Sequence, residues 1–137
     1  MTSQGLADAI ETAIGDPGAP VFDTDVTGSQ SLPWVVFSCG LPRVSERTLG
    51  HSPMARLGYV LVKCAAGTGE GARVLGDAVD AALEGARLVV TGWRLGPVGL
   101  LNVREPSADY EVTTTDGVRP VVQVLEYRFT AVRSVSA

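Results

Sequence analysis

Leu6, Ile10 and Ile14 recur at every fourth position with Ala9 and Ala13 beside them, which predicts a short amphipathic helix near the start of the chain. Thr2 and Ser3 stand where its cap belongs. The helix stops at GDPGAP, residues 15–20, where two prolines and two glycines remove donors and helical geometry. The pattern then turns to strands. VFDTDV, residues 21–26, reads as a short one, and LPWVVFSC, residues 32–39, as a dense apolar one with Pro33 confined to its first positions. LGYVLVKCA, residues 57–65, is apolar on both faces apart from Lys63. Residues 40–56 lie between these two central strands and hold two prolines, two glycines and three arginines, so they predict a long loop.

From Thr68 the period changes. Ala72, Leu75, Val79, Ala82, Leu83 and Ala86 lie three or four apart on one helical face, with Glu70, Arg73, Asp77, Asp80 and Glu84 around the remainder. Gly85 suits the left-handed position that closes such a helix. Residues 87–95, 98–104 and 118–133 finish the chain as strands. In the last, Val121, Leu125, Tyr127, Phe129 and Ala131 share one parity, interrupted by Gln123, against Glu126, Arg128 and Thr130 on the other. With one strand–helix–strand crossover, the expected class is α+β: a mainly antiparallel sheet with two helices packed on one face.

Length sets the domain count: 137 residues make one domain, residues 1–137, with room for a real core. Charged residues are 19% and glycines number 16, so the chain is poor in charge and rich in glycine. Depletion of charge is a property of buried interfaces, which favours self-association. The formal charge of −4 opposes a nucleic-acid-gripping role, which needs a concentrated basic face. Arg43, Arg47 and Arg56 do gather in one stretch, but Glu46 and the neutral His51 lie among them, and the stretch reads as a solvated or protein-contacting loop. The first fifteen residues carry Asp8 and Glu11 and lack the basic start and apolar core of a signal peptide. No apolar run approaches the ~20 residues of a membrane span, so a cytosolic protein with no membrane partner is expected. Were the two central strands a hairpin centred near Thr48, Cys39 would face Leu57 and Cys64 would face Leu32. The sulfurs would then stand roughly 23 Å apart, far beyond disulfide reach, so both thiols are expected reduced.

The glycines of GTGEG, at 67, 69 and 71, raise the question of a phosphate cradle. A P-loop needs Lys then Ser or Thr at its end, where this chain has Ala72 and Arg73, and a dinucleotide site needs Gly-x-Gly-x-x-Gly with an acid after the next strand. Neither is met, and a helix cap at Thr68 is the simpler reading. His51 is the only histidine and cannot join two distant cysteines in a usual zinc set. Asp23 and Asp25 share a strand face without a third oxygen-rich cluster nearby. Trp34 and Trp93 suit either a core or an interface. No catalytic, cofactor or metal residues are expected, and the chain is not read as an enzyme.

The succession VFDTDV, LPWVVFS, an arginine-bearing loop, LGYVLVKCAAGTGEGARVLGDAVDAALEG, RLVVTGW and a closing YRFTAVR resembles the tail terminator, or tail completion, proteins of long-tailed bacteriophages over residues 21–133. That resemblance implies a structural α+β subunit forming a homo-hexameric ring on the last ring of tail-tube protein, at the neck end of the virion tail, assembled in the host cytoplasm. It would halt tube polymerisation and offer a surface to the head–tail connector proteins, with DNA passing through the ring without specific binding. Its working parts would be surfaces: Arg43, Glu46, Arg47, His51 and Arg56 of the long loop, Trp34, and the sheet edges. Another neck or head-closure component stays open as a second class, and an enzyme binding a phosphorylated ligand near Thr68 as a third.

Overall fold

The computed structural model describes residues 3–24, 31–47, 53–108 and 119–133. Helix α1 covers Ser3–Ile14 and α2 covers Gly69–Leu83; strands are β1 Val21–Asp23, β2 Trp34–Arg47, β3 Pro53–Ala66, β4 Trp93–Leu95, β5 Gly99–Val103, β6 Ser107–Ala108 and β7 Val121–Arg133. Four lanes of the sheet are β1, β2, β3 and β7, and the fifth is shared by β4, β5 and β6, which follow one another along β7. All pairings are antiparallel except β1 with β2. The fold is α+β as the pattern implies, with both helices on one face: α1 packs on β2 and α2, and α2 on β3 and β7. The β3–α2–β4 connection is the single crossover, and β7 lies between its two strands.

Alternation along the strands builds the core. Val35 and Phe37 of β2, Val60, Val62 and Cys64 of β3, and Leu125, Tyr127, Phe129 and Ala131 of β7 turn to the helices and are buried. Leu6, Ile10 and Ile14 of α1 and Ala72, Leu75, Val79 and Leu83 of α2 meet them. Gln123, the polar exception in β7, faces Gly76 of α2: a Cβ at Gly76 would collide with its side-chain oxygen, so the helix comes close to the sheet there because it has no side chain.

Thr68 caps α2 as expected, its Oγ accepting from the Gly71 N–H at 3.0 Å. A side chain at Gly71 would fit tightly, its Cβ 3.0 Å from that of Ala66 and 3.2 Å from the Thr68 hydroxyl. With one N–H taken by Thr68 and Glu70 placing a carboxylate in the first turn, this helix start presents acid instead of an anion cradle. Thr68→Ala should cost about 1 kcal/mol in chemical denaturation and leave assembly intact. Nucleotide binding abolished by Gly69→Val would reverse that reading of the loop. At the other end Gly85 takes φ +77, the left-handed closure foreseen.

Three expectations are corrected. The long loop of residues 40–56 is a hairpin arm: β2 runs on to Arg47 and β3 begins at Pro53, with Arg43 opposite Leu57, Glu46 opposite Ala55 and Arg47 opposite Pro53. Only residues 48–52 of that loop lie outside the described residues. The hairpin register is also different: Cys39 faces Val60 and Cys64 faces Val35. Cys39 thus lies opposite a position four residues, about 13 Å, along β3 from Cys64, and both cysteines are free. Finally, residues 87–95 are not one strand, because Gly92 at φ +83 turns the chain and only Trp93–Leu95 joins β7.

Candidate assembly surface

The loop residues expected at an interface now have places. Arg43, Glu46 and Arg47 sit on β2 at the far end of the hairpin arm, where the ladder slips between Gly40 and Arg43, between Val44 and Glu46 and between Glu46 and Arg47. Such slips bend and twist a strand. His51 and Asp25 lie outside the described residues. Arg56 is half-buried on the helix side of β3. Its neighbour on β7 is the small Ala131, across which its guanidinium stacks on the Trp93 ring at 5.2 Å from the centroid. Its Nε is buried without a hydrogen-bond partner. Arg56 therefore pins the base of the arm to β4 and is largely unavailable to a partner. Trp34, 8% exposed, likewise has little surface left to offer.

What is exposed is the sheet face away from the helices. Leu57, Tyr59 and Val132 are 38%, 45% and 45% exposed there, with Val36, Leu61 and Val124 half-buried around them. Tyr59 lies flat across Gly40, its partner on β2, where a Cβ would enter its ring. Among the residues whose side chains are described, the charges on this face are Lys63, Arg128 and Arg94, with Glu126 as the acid of its parity on β7. Sequence reading reached the parity of Glu126, Arg128 and Thr130 but missed Leu57 and Tyr59. The available signal was that a strand apolar on both faces, in a sheet with helices on one face only, leaves apolar side chains outside.

The opposite side is acidic. Along α2 the outward stripe reads Glu70, Val74, Asp77, Ala81, Glu84, all exposed, with Val74 at 62%. Arg73 is the only base on either helix, and α1 adds Asp8 and Glu11. Between α1 and residues 87–91 runs an open groove of about 650 Å³ that brings Asp8 and Thr12 opposite Arg87 and Val89, and none of the described polar side chains is buried there.

The fifth-lane edge of the sheet is a poor docking site. In the fifth lane, the non-strand residues 96–98 and 104–106 separate β4, β5 and β6, and β5 carries an irregularity between Leu100 and Asn102. The Leu100 N–H donates to Glu84 Oε2 at 2.6 Å, so a carboxylate occupies a donor that an added strand would need. The other edge is β1, three residues long, and beyond it β2 from Ser38 to Arg47, which has no strand partner on that side among the described residues.

Titratable groups in the core are held neutral. Burial pushes the Cys64 thiol up to about 12, and burial with the nearby Asp23 raises Cys39. Burial, then the hydrogen bond donated to Asp80 Oδ1 at 2.9 Å, raise the Tyr127 phenol above its ordinary range. A thiol so raised is not a nucleophile at neutral pH. Among the described residues no three His, Cys, Asp or Glu side chains form a metal-holding group, and none of the described helices is long and apolar enough to cross a membrane.

A chain in the virion of a native gene transfer agent particle superposes on this one with a TM-score of 0.54, at 20% identity, over 93% of this chain and 90% of its own. The two share a fold. A second solved structure, which carries no descriptive name, superposes with a TM-score of 0.53 at 16% identity over 98% of this chain and 92% of its own. No protein-family model matches the chain, and the search of curated proteins finds no significant match.

Proposed function

We propose that this chain is a structural subunit of a phage-like virion, of the tail-terminator kind. Six copies close a ring on the last ring of tail-tube protein, stop the tube from growing and present a surface to the head–tail connector at the neck end of the tail. The observation that carries the reading is the fold shared, over 93% of this chain, with a chain of the gene transfer agent virion. The surfaces agree with it: an apolar sheet face with few charges, an acidic helical layer, and a projecting arm with Arg43 and Arg47. The core thiols and the Tyr127 phenol are held neutral by burial, which suits a structural role better than catalysis. A ring of six would carry a formal charge of about −24, which lets DNA pass without being retained.

Negative-stain images and native mass of the purified protein, with and without tail tubes, test this. Closed rings of six on the tube ends are expected, and Arg43→Glu with Arg47→Glu should abolish capping while the parent binds duplex DNA only weakly at low salt. Another copy number on a neck complex would favour a head-closure component. Tight, salt-sensitive DNA binding removed by the same substitutions would overturn both the channel argument and the role of the arm.

A further inference from the structure

Two surfaces described above fit each other. The sheet face is apolar at its middle, at Leu57, Tyr59 and Leu61, and its bases stand apart, Lys63 four residues beyond Tyr59 on β3 and Arg128 opposite Tyr59 on β7. At ~3.3 Å per residue and ~4.8 Å between strands, these two bases are about 14 Å apart. On the α2 stripe, Glu70 and Asp77 are about 10 Å apart at 1.5 Å per residue, with the exposed Val74 between them. Extended lysine and arginine side chains close a mismatch of that size. We infer that the outer sheet face of one copy docks on the α2 ridge of the next copy of this chain, head to tail, with Lys63 and Arg128 set against Glu70 and Asp77 and with Tyr59 and Leu61, which lie between those bases, set against Val74.

The charges argue for this pairing over a symmetric one. Sheet face against sheet face would bring Lys63, Arg94 and Arg128 of each copy together with only Glu126 to offset them, and ridge against ridge would oppose carboxylates; like charges at an interface are costly. The pairing of two unlike surfaces is heterologous and generates rings or filaments. Strand addition at the fifth lane is disfavoured by the Glu84 carboxylate on Leu100. The inference rests on the self-association within the proposed function, but not on the tail tube or on the number six.

Charge reversal gives a test that separates the two. One variant carries Lys63→Glu and Arg128→Glu, the other Glu70→Lys and Asp77→Lys; all four side chains are exposed, and circular dichroism checks that each variant folds. Sedimentation velocity at low salt should show the parent assembled and each variant alone at least tenfold weaker in association. An equimolar mixture should assemble again, because the acidic sheet face of one variant meets the basic ridge of the other while the second contact of each pair remains native. Variants that assemble as the parent does, or a mixture that stays dissociated, would overturn the docking and leave the ring reading standing. A parent that remains monomeric alone and on tail-tube ends would remove the ring reading and the docking together.

Discussion

Gly58→Val should yield little folded protein, and Gly58→Ala should lose about 1–3 kcal/mol of stability. Gly58 is buried on β3 opposite Phe129 of β7, whose ring is 2% exposed and fills the space where a side chain at 58 would stand. The ring is walled in by the core and cannot swing aside, so an added methyl must move β3, β7 or both. A glycine in a strand is ordinarily weakening, and alanine there would otherwise gain stability. Gly40→Ala provides the comparison, since the ring it strikes, Tyr59, is 45% exposed and can turn into solvent. Urea midpoints should fall clearly for Gly58→Ala and by much less for Gly40→Ala. Shortening Phe129 to leucine should restore part of the loss in a double-mutant cycle. Equal losses at the two glycines would mean that burial of the opposing ring does not decide the cost.

The second large effect is alkaline. Cys64 is pushed up to about 12 by burial, Tyr127 is raised by burial and by Asp80, and Cys39 is raised by burial and Asp23. The unfolded chain releases these protons at ordinary values of roughly 8.5–10, while the folded one keeps them. The neutral core therefore contributes its full stability below the unfolded values and loses it as pH rises toward the folded ones, by up to about 1.4 kcal/mol per pH unit for each proton concerned. Against a total of roughly 5–15 kcal/mol, unfolding should set in steeply between about pH 9 and 12. Cys64→Ala and Tyr127→Phe should each flatten the fall of the urea midpoint over that range. A midpoint that does not change from pH 8 to 10.5 in the parent would reject this account of the core.

The helices were legible because each carries its own punctuation: a 3.6-residue apolar stripe, Thr68 at the start of α2 and Gly85 after its end. The hairpin arm was hidden by its prolines. Pro42 falls within the slip between Gly40 and Arg43, and Pro53 is the first residue of β3, the two kinds of strand position where a missing N–H is tolerated. Locally those residues look like loop, and only pairing across the hairpin makes them strand. A register displaced by three residues also changes which β3 side chains share the core face with Val35: Cys64 does, and Leu61 does not. Without the register the Gly58–Phe129 and Gly40–Tyr59 pairs could not be seen, nor could Leu57 and Tyr59 be assigned to the outside. Of the candidate interface residues, Arg56 could not be placed from the sequence for a similar reason, since its partner Trp93 is on a strand that reaches it only across β7.

The carboxylate on the Leu100 N–H has an effect on how an assembly of such subunits counts its members. Where sheets join edge to edge, the repeat is dictated by the hydrogen-bond ladder and growth has no natural end. With the fifth-lane edge closed at Leu100, the face-to-face docking inferred above would set the count by the angle between those faces. Small tilts of α2 against the sheet, such as a bulkier residue at Gly76 would impose, then become changes in circumference. In such a face-to-face assembly stoichiometry would be a packing property of the core, open to drift without any change in the residues that touch the neighbour.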